Sequence, residues 1–386
     1  MALKPSSPPP ADAPRGTARR GRPVLFLAGA AVILGLRLWL AVAAPRLYEF
    51  DRYWVPIAKA QVEGRNLWTE TDYHFFPPWA WLLGGFEALA RRGADFAAVQ
   101  RVFLTLVDAA IAALLYRLSP RVPGAVSPPT AALSYLANPV SVFVVSIQGQ
   151  FDGLALVFLV AAVLVSARRD DGETVPGILL GLSIAAKQVT LFHPLLWLTG
   201  RGPLPPPRRR SPLASLRGRG AASVAIAYAL PIATLLPYAG SAREIARSLL
   251  VYYSVPRSYG LSELVLWDSR LGPVVSVLGA AAALAAILWL RGRERARACL
   301  FLFLVLLFFA PGLGSQYLLW PLPFGALLGG AAYAAFTAAS TLWIVGSFYG
   351  LPGSGQWMGQ LIWLSVGAWM FMESRALSPR TVRRAA

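Results

Sequence analysis

Residues 23–54 read PVLFLAGAAVILGLRLWLAVAAPRLYEFDRYW. The first two thirds form an apolar run long enough to cross about 30 Å of hydrocarbon as a helix. The last third turns acidic and aromatic within a few residues: Tyr48, Glu49, Phe50, Asp51, Arg52, Tyr53 and Trp54. The apolar run is too long for the core of a signal peptide and lacks a small-residue cleavage site, so it reads as a retained anchor. Directly after it comes a carboxylate-bearing segment just outside a bilayer, ringed by side chains that favour membrane interfaces.

The pattern of that first run recurs along the chain. Hydrophobic residues make up 56% of the 386 and charged residues only 14%, the balance of an integral membrane protein. The clearest runs are 23–44, 97–116, 151–167, 220–238, 272–290, 334–350 and 358–373. Shorter or proline-bearing runs occupy 76–90, 129–147, 175–199, 298–312 and 318–333. No soluble core needs so many.

The net charge of +18 is concentrated almost wholly in residues 1–22, 200–219, 291–297 and 373–386. These are the cytoplasmic tails and loops of the positive-inside rule, not a footprint for nucleic acid. Segments 45–75 and 239–271 carry near-balanced charge and belong on the outer face. The organisation expected is a basic disordered tail at 1–22, one membrane domain at 23–373 interrupted by a Pro/Arg/Ser linker at 200–219, and a basic tail at 374–386.

Alternating the runs against this charge rule produces two conflicts. Runs 129–147 and 175–199 must each begin and end on one side. Both contain natural breaks, Asn138-Pro139 in the first and Lys187-Gln188 with His193-Pro194 in the second. Broken helices are tolerated in membranes where protein or a cavity surrounds them. The expectation is therefore ten full spans, two re-entrant or broken segments, and both termini inside.

Several chemistries have no support. No glycine-rich phosphate loop, no His-Glu-x-x-His, no cysteine cluster and no Gly-x-Ser-x-Gly is present, and the chain has two histidines and one cysteine, Cys299. No metal site and no resident cofactor are expected. The remaining candidates are carboxylates, amides, phenols and cations near the outer face. Asp51 is a candidate general base, its aromatic neighbours and Arg52 tuning its acidity. Tyr73 and His74 close the same loop. Gln148, Gln150 and Asp152 open a span with groups that hydrogen-bond a hydroxylated ligand. Lys187 and His193 lie in an apolar run, where an ionisable group is a functional hypothesis by default. Arg257, Gln316 and Tyr317 complete the set. Asp108, inside the third run, reads as a structural charge with a polar neighbour.

The order of these motifs carries a resemblance. Phe50-Asp51-Arg52-Tyr53 is followed by Phe76-Pro77-Pro78, then Asn138-Pro139, then Gly149-Gln150-Phe151-Asp152. Next come Gly177-x-x-x-Gly181 through Lys187, Pro194, and Gln316-Tyr317-x-x-Trp320. This resembles the GT-C superfamily of membrane glycosyltransferases, over about residues 23–330, and most of all its polyprenyl-phosphate-mannose-dependent mannosyltransferases. The resemblance implies an all-α polytopic fold of about 10–12 transmembrane segments with interfacial helices in the first outer loop. It implies hexose transfer, with inversion, from a polyprenyl-phosphate sugar to a glycolipid or glycan acceptor at the extracytoplasmic face of the plasma (inner) membrane. Many members pair two acids in that loop. Here Asp51 is followed by Arg52, and the nearest other acid is Glu49, two residues earlier; the resemblance implies Asp51 as the base that deprotonates the acceptor hydroxyl. The alternative reading is a lipid or polyol transporter or flippase without transferase activity.

Overall fold

A computed structural model describes residues 21–168, 174–199, 220–250, 271–310, 312, 314–351 and 357–378. Among them there is no strand. Of the expected tails, residues 1–20 and 379–386 lie outside the described residues, as do the linker at 200–219 and Arg257, while 374–376 continue the last helix.

The first helix, α1 (Gly21–Ala43), is uninterrupted by proline after its first turn. It packs antiparallel to α5 (Phe96–Leu118), which starts on an Asp95 cap whose side chain accepts from the Ala98 N–H at 2.7 Å. Three contacts fix the pairing. The rings of Phe26 and Tyr116 stack at 5.1 Å, Arg37 meets Asp108 at 2.6 Å, and Arg101 donates to the carbonyls of Ala44 and Pro45 at 2.8 and 2.7 Å. Hence α5 begins where α1 ends, and everything between them stays at one end of the bundle.

That intervening stretch holds a π turn at Phe50–Trp54, then α2 (Val55–Val62), α3 (Leu67–Glu70) and α4 (Pro77–Ala90). The expectation that 76–90 crosses the membrane, with Arg91 and Arg92 on the far side, is corrected here. α4 lies across the end of the bundle: Trp79 near its start stacks on Phe151 at 4.2 Å, and Phe86 near its finish meets Phe96 and Phe103 at the start of α5. It packs on α2 closely enough that a Cβ at Gly84 would lie 3.0 Å from Gln61.

The correction removes the first of the two topological conflicts. After α5 the chain turns through Ser119 and Val126, and then α6 (Pro128–Leu136), α7 (Pro139–Ser141) and a π-helix at Val142–Ile147 run back along α5. Tyr135 and Ser141 reach Asp108, Thr105 pairs with Ser146 at 3.1 Å, and Gln100 donates to the Gly149 carbonyl at 2.8 Å. This is one crossing bent by 41° at the break, not a re-entrant loop. The bend sits at Asn138-Pro139 because proline has no N–H to donate and disfavours helical geometry in the residue before it.

The second broken segment does turn back. α8 (Asp152–Ser166) and α9 (Thr174–Ala186) are antiparallel, with Ser183 donating to the Ala155 carbonyl at 2.7 Å. α9 stops at Lys187, whose backbone is extended, and two 3-10 turns, Gln188–Thr190 and His193–Thr199, return the chain. Trp197 then donates to Ser166 at 2.9 Å, at the far end of α8. Residues 174–199 thus begin and end at one end of the bundle.

α10 (Gly220–Thr234) runs parallel to α9, with Gly177 against Ser223 and Gly181 against Ala227 and Leu230. A Cβ at either glycine would lie under 3.0 Å from the neighbouring helix, the close approach that small residues four apart permit in membranes. The run 220–238, expected to be a plain span, is bent by 64° against the segment ending in α11 (Ala242–Leu250). α12 (Leu271–Trp289), α13 (Arg295–Phe308), a 3-10 turn at Ser315–Leu319 leading to α14 (Leu322–Leu328), α15 (Ala331–Phe348) and α16 (Trp357–Ala376) complete the bundle. Among the described residues, three helices are long and apolar enough to cross a membrane, or up to five with each bent pair counted as one span.

The two ends differ in their acids. Arg117, Arg121, Arg168, Arg297 and Arg375 gather at one, where Arg297 pairs with Glu373 at 2.9 Å; at the other Glu49, Asp51, Glu63, Glu70, Asp72 and Asp95 mix with Arg46, Arg65, Arg91 and Arg101. Between them, fully enclosed, is the Arg37–Asp108 pair. Arg37 also donates to Ser146 and to the carbonyls of Leu136 and Ser141, while Asp108 accepts from Tyr135 and Ser141. Asp108 therefore has the polar neighbours its position demanded.

Two measurements check this architecture. With Cys299 buried, single cysteines at Asp72, Arg91 and Arg121 should divide under an impermeant thiol reagent. Asp72→Cys and Arg91→Cys should label from one face and Arg121→Cys from the other; labelling of Arg91→Cys with Arg121→Cys would restore α4 as a span. Asp108→Ala strands a buried guanidinium and should cost about 3–5 kcal/mol by unfolding in detergent, whereas Arg37→Met combined with Asp108→Leu should recover much of that loss.

Candidate active site

The turn joining the kinked crossing to α8, Gln148–Asp152, faces the loop end and distributes three polar side chains to three different elements. Gln148 Oε1 accepts from Ser315 at 2.7 Å, on the 3-10 turn before α14. Gln150 Nε2 donates to Glu49 Oε2 at 2.8 Å, at the start of the first loop's π turn. Asp152 Oδ2 takes the Lys187 ammonium at 2.5 Å, and its Oδ1 accepts from the Trp320 indole at 2.7 Å. Gly149 makes the turn possible. Its φ of +71° is open to glycine, and a Cβ there would lie 2.7 Å from the Phe50 ring.

Asp152 and Lys187 are both buried. Removing two charges from water is costly, and the site offsets this by satisfying both. Asp152 sits in the first turn of α8, where the helix dipole favours an anion. Lys187, at the break after α9, has its ammonium 4.4 Å over the Phe151 ring and 5.5 Å over Phe75. Phe151 in turn stacks on Trp79 and meets Trp54 and Phe75 edge-on. The next residue, Gln188, donates to the His74 carbonyl at 2.9 Å, tying the first loop to the same break.

The two acids of the first loop part company. Asp51 is exposed and pairs with Arg46 at 2.6 Å, on the outer side of the π turn. Glu49 turns inward. Burial raises its pKa above the usual glutamate value, while the Gln150 N–H and the nearby Lys187 charge pull the other way. Among the described residues, only Glu49 of this pair meets the Gln150–Asp152 turn.

The other expected residues fall into place differently. Tyr73 is fully enclosed, its hydroxyl donating to the Phe76 carbonyl at 2.5 Å and accepting from the Ala80 N–H at 3.1 Å. It staples the start of α4 and offers nothing to a ligand. His193 is likewise fully buried, 4.2 Å from Phe303, which separates it from Trp320 and the polar cluster. His74 is half-buried, with Asp72 at 3.9 Å; burial lowers its pKa below the usual imidazole value, opposed by Asp72. Gln316 and Tyr317 are half-buried beside the cluster, Tyr317 with its ring 4.5 Å from Trp320. Sequence reasoning missed Ser315 as a partner for Gln148 and Trp320 as one for Asp152. Trp320 stands in the quoted motif, and a buried indole N–H that needs an acceptor is the signal that could have found it.

No protein-family model and no curated protein matches the chain. Among solved structures it is similar to ArnT from Cupriavidus metallidurans, a crystal structure bound to undecaprenyl phosphate. The TM-score is 0.52 at 14% identity, over 93% of this chain and 77% of that one. At that identity the likeness is one of fold, and the expected class, an all-α bundle with several apolar candidate spans, is borne out.

Proposed function

We propose that this chain is a membrane glycosyltransferase. It moves a hexose, mannose by the motif resemblance, from a polyprenyl-phosphate sugar to a glycolipid or glycan acceptor. The acid-rich loop end would then face the extracytoplasmic side of the plasma (inner) membrane, where nucleotide sugars are absent and a lipid-linked donor is needed. The observation that carries the reading is the Gln148–Asp152 turn, which brings a carboxylate of raised pKa and a buried lysine to one place. Support comes also from the fold shared with a protein crystallised with undecaprenyl phosphate.

In this mechanism Glu49, not Asp51, is the general base. It takes the proton of the acceptor hydroxyl as that oxygen attacks the anomeric carbon. The bond from that carbon to the phosphate oxygen breaks, and the lipid phosphate leaves with the electron pair, its charge met by Lys187. Attack opposite the leaving group inverts the anomeric configuration. Gln148, Asp152, Gln316 and Tyr317 border the sugar. A phosphate is a good enough leaving group that the step calls for no metal.

Membranes containing the protein, supplied with radiolabelled polyprenyl-phosphate mannose and a panel of glycolipids, test this directly. Glu49→Gln should lower transfer by about 10²–10⁴-fold, the range for a lost general base, while Asp51→Asn should stay within about tenfold of wild type. The reverse pattern would make Asp51 the base. Sugar carried across the bilayer without cleavage from its lipid would favour the transporter. The pH profile gives an independent check. A base must be deprotonated to act, so transfer should fall as pH drops through the Glu49 pKa, with a midpoint above the 4.5 of an ordinary glutamate. Glu49→Gln should abolish that acid limb.

A further inference from the structure

Gln150 belonged, on sequence, with the groups that line the sugar pocket. We propose that Gln150 is instead a positioning residue, whose amide holds the Glu49 carboxylate with one oxygen turned toward the acceptor. The inference rests on Glu49 being the base of the proposed transferase.

Gln150 itself is held on every side. Its backbone N–H donates to the Val144 carbonyl at 3.0 Å, and the preceding Gly149 N–H donates to Val145 at 3.2 Å. The Gly149 carbonyl receives the side chain of fully buried Gln100 at 2.8 Å. Phe50, next to Glu49 in the chain, packs directly beneath Gly149, with the Arg101 guanidinium 4.8 Å over its ring. One contact, Phe50 under Gly149, therefore sets the spacing between the two stretches of chain that carry Glu49 and Gln150. Gln150 is only 7% exposed, and its Nε2 goes to Glu49 Oε2. Among the described residues Glu49 Oε1 carries no hydrogen bond. A glutamate side chain has three rotatable bonds; a single fixed donor on Oε2 selects the rotamer that presents Oε1. The charged groups about Glu49 are Lys187 with its partner Asp152 on the inner side, and the Arg46–Asp51 pair outside.

A sugar-binding residue and a base-positioning residue differ in what their loss changes. Gln150→Met keeps length and apolar packing but removes the donor. It should lower kcat by about 10–100-fold, the scale of a misplaced catalytic group, with the donor KM within about threefold of wild type. Combined with Glu49→Gln it should cost nothing further, because the group it positions is already gone. Gln150→Asn, whose amide stops short of Glu49, serves as the second variant should Gln150→Met fail to accumulate, and should show the same split. A raised donor KM with kcat preserved, or losses that multiply in the double variant, would overturn the inference. If wild type transfers no sugar, or Glu49→Gln transfers at full rate, the underlying reading fails and the inference falls with it.

Discussion

The ion pair between Arg37 and Asp108 is the constraint on which the rest of the bundle depends. Hydrocarbon leaves no water to satisfy a polar group, so a bend within a membrane crossing must find partners in the protein for whatever it frees. The bend at Asn138-Pro139 frees the Leu136 carbonyl, and Arg37 takes it, along with that of Ser141. Asn138 caps the next turn through the Val140 N–H and donates to Tyr333 and Thr337 on α15. The guanidinium needs a counter-charge, and Asp108 supplies it while accepting from Tyr135 and Ser141 on either side of the bend. Four segments are thus pinned in register by groups that have no alternative partner. Because side chains on both sides of the bend are fixed to α5, the crossing must emerge with Gly149 beside Gln100.

From that register the site is built. A turn in which residues 148, 150 and 152 reach three different elements works as a junction: the loop that bears Glu49, the break after α9 and the turn before α14 are all referenced to it. The charges are arranged so that neither end of the proposed reaction works against the other. Lys187 and Asp152 are neutral as a couple, which lets them stay buried, and Glu49 lies just beyond them with a raised pKa suited to accept a proton. The aromatic cluster in which Trp79 stacks on Phe151 and Trp54 meets both edge-on fills the space behind the lysine and keeps water from screening it.

The site was legible in the sequence as a set of positions, much less so as a set of roles. Gln148, Gln150, Asp152 and Lys187 announced themselves because polar residues at the ends or middle of apolar runs need a reason. Asp51 was chosen over Glu49 on residue pattern alone, since both lie on one short aromatic stretch. Only the π turn, which buries Phe50 and Trp54 and exposes Asp51 through Tyr53, decides which acid faces inward. Tyr73 and His193 misled for the opposite reason. Residue type suggested chemistry, but Tyr73 is occupied by the backbone of α4 and His193 is sealed behind Phe303. Gly177 and Gly181 entered as part of a motif; their physical role is the contact of α9 with α10.

The topology shows how a single misassigned helix propagates through a charge argument. Reading 76–90 as a crossing was natural: the segment is apolar, begins at paired prolines and ends at paired arginines. Yet a helix lying flat on a bundle also needs one apolar face, and hydropathy does not distinguish a face against protein from a face against lipid. With α4 laid across the loop end, α5 crosses in the opposite sense. The 119–127 turn joins the end that bears Arg297 and Arg375, while Arg91 stays with Glu63 and Glu87 at the loop end. Residues 128–147 then make an ordinary crossing with a bend, and 174–199 alone remains a hairpin. Of the two conflicts, the one at 129–147 had this cause, a parity that would not close; the one at 174–199 is a real hairpin, with Trp197 brought back to Ser166 at the far end of α8.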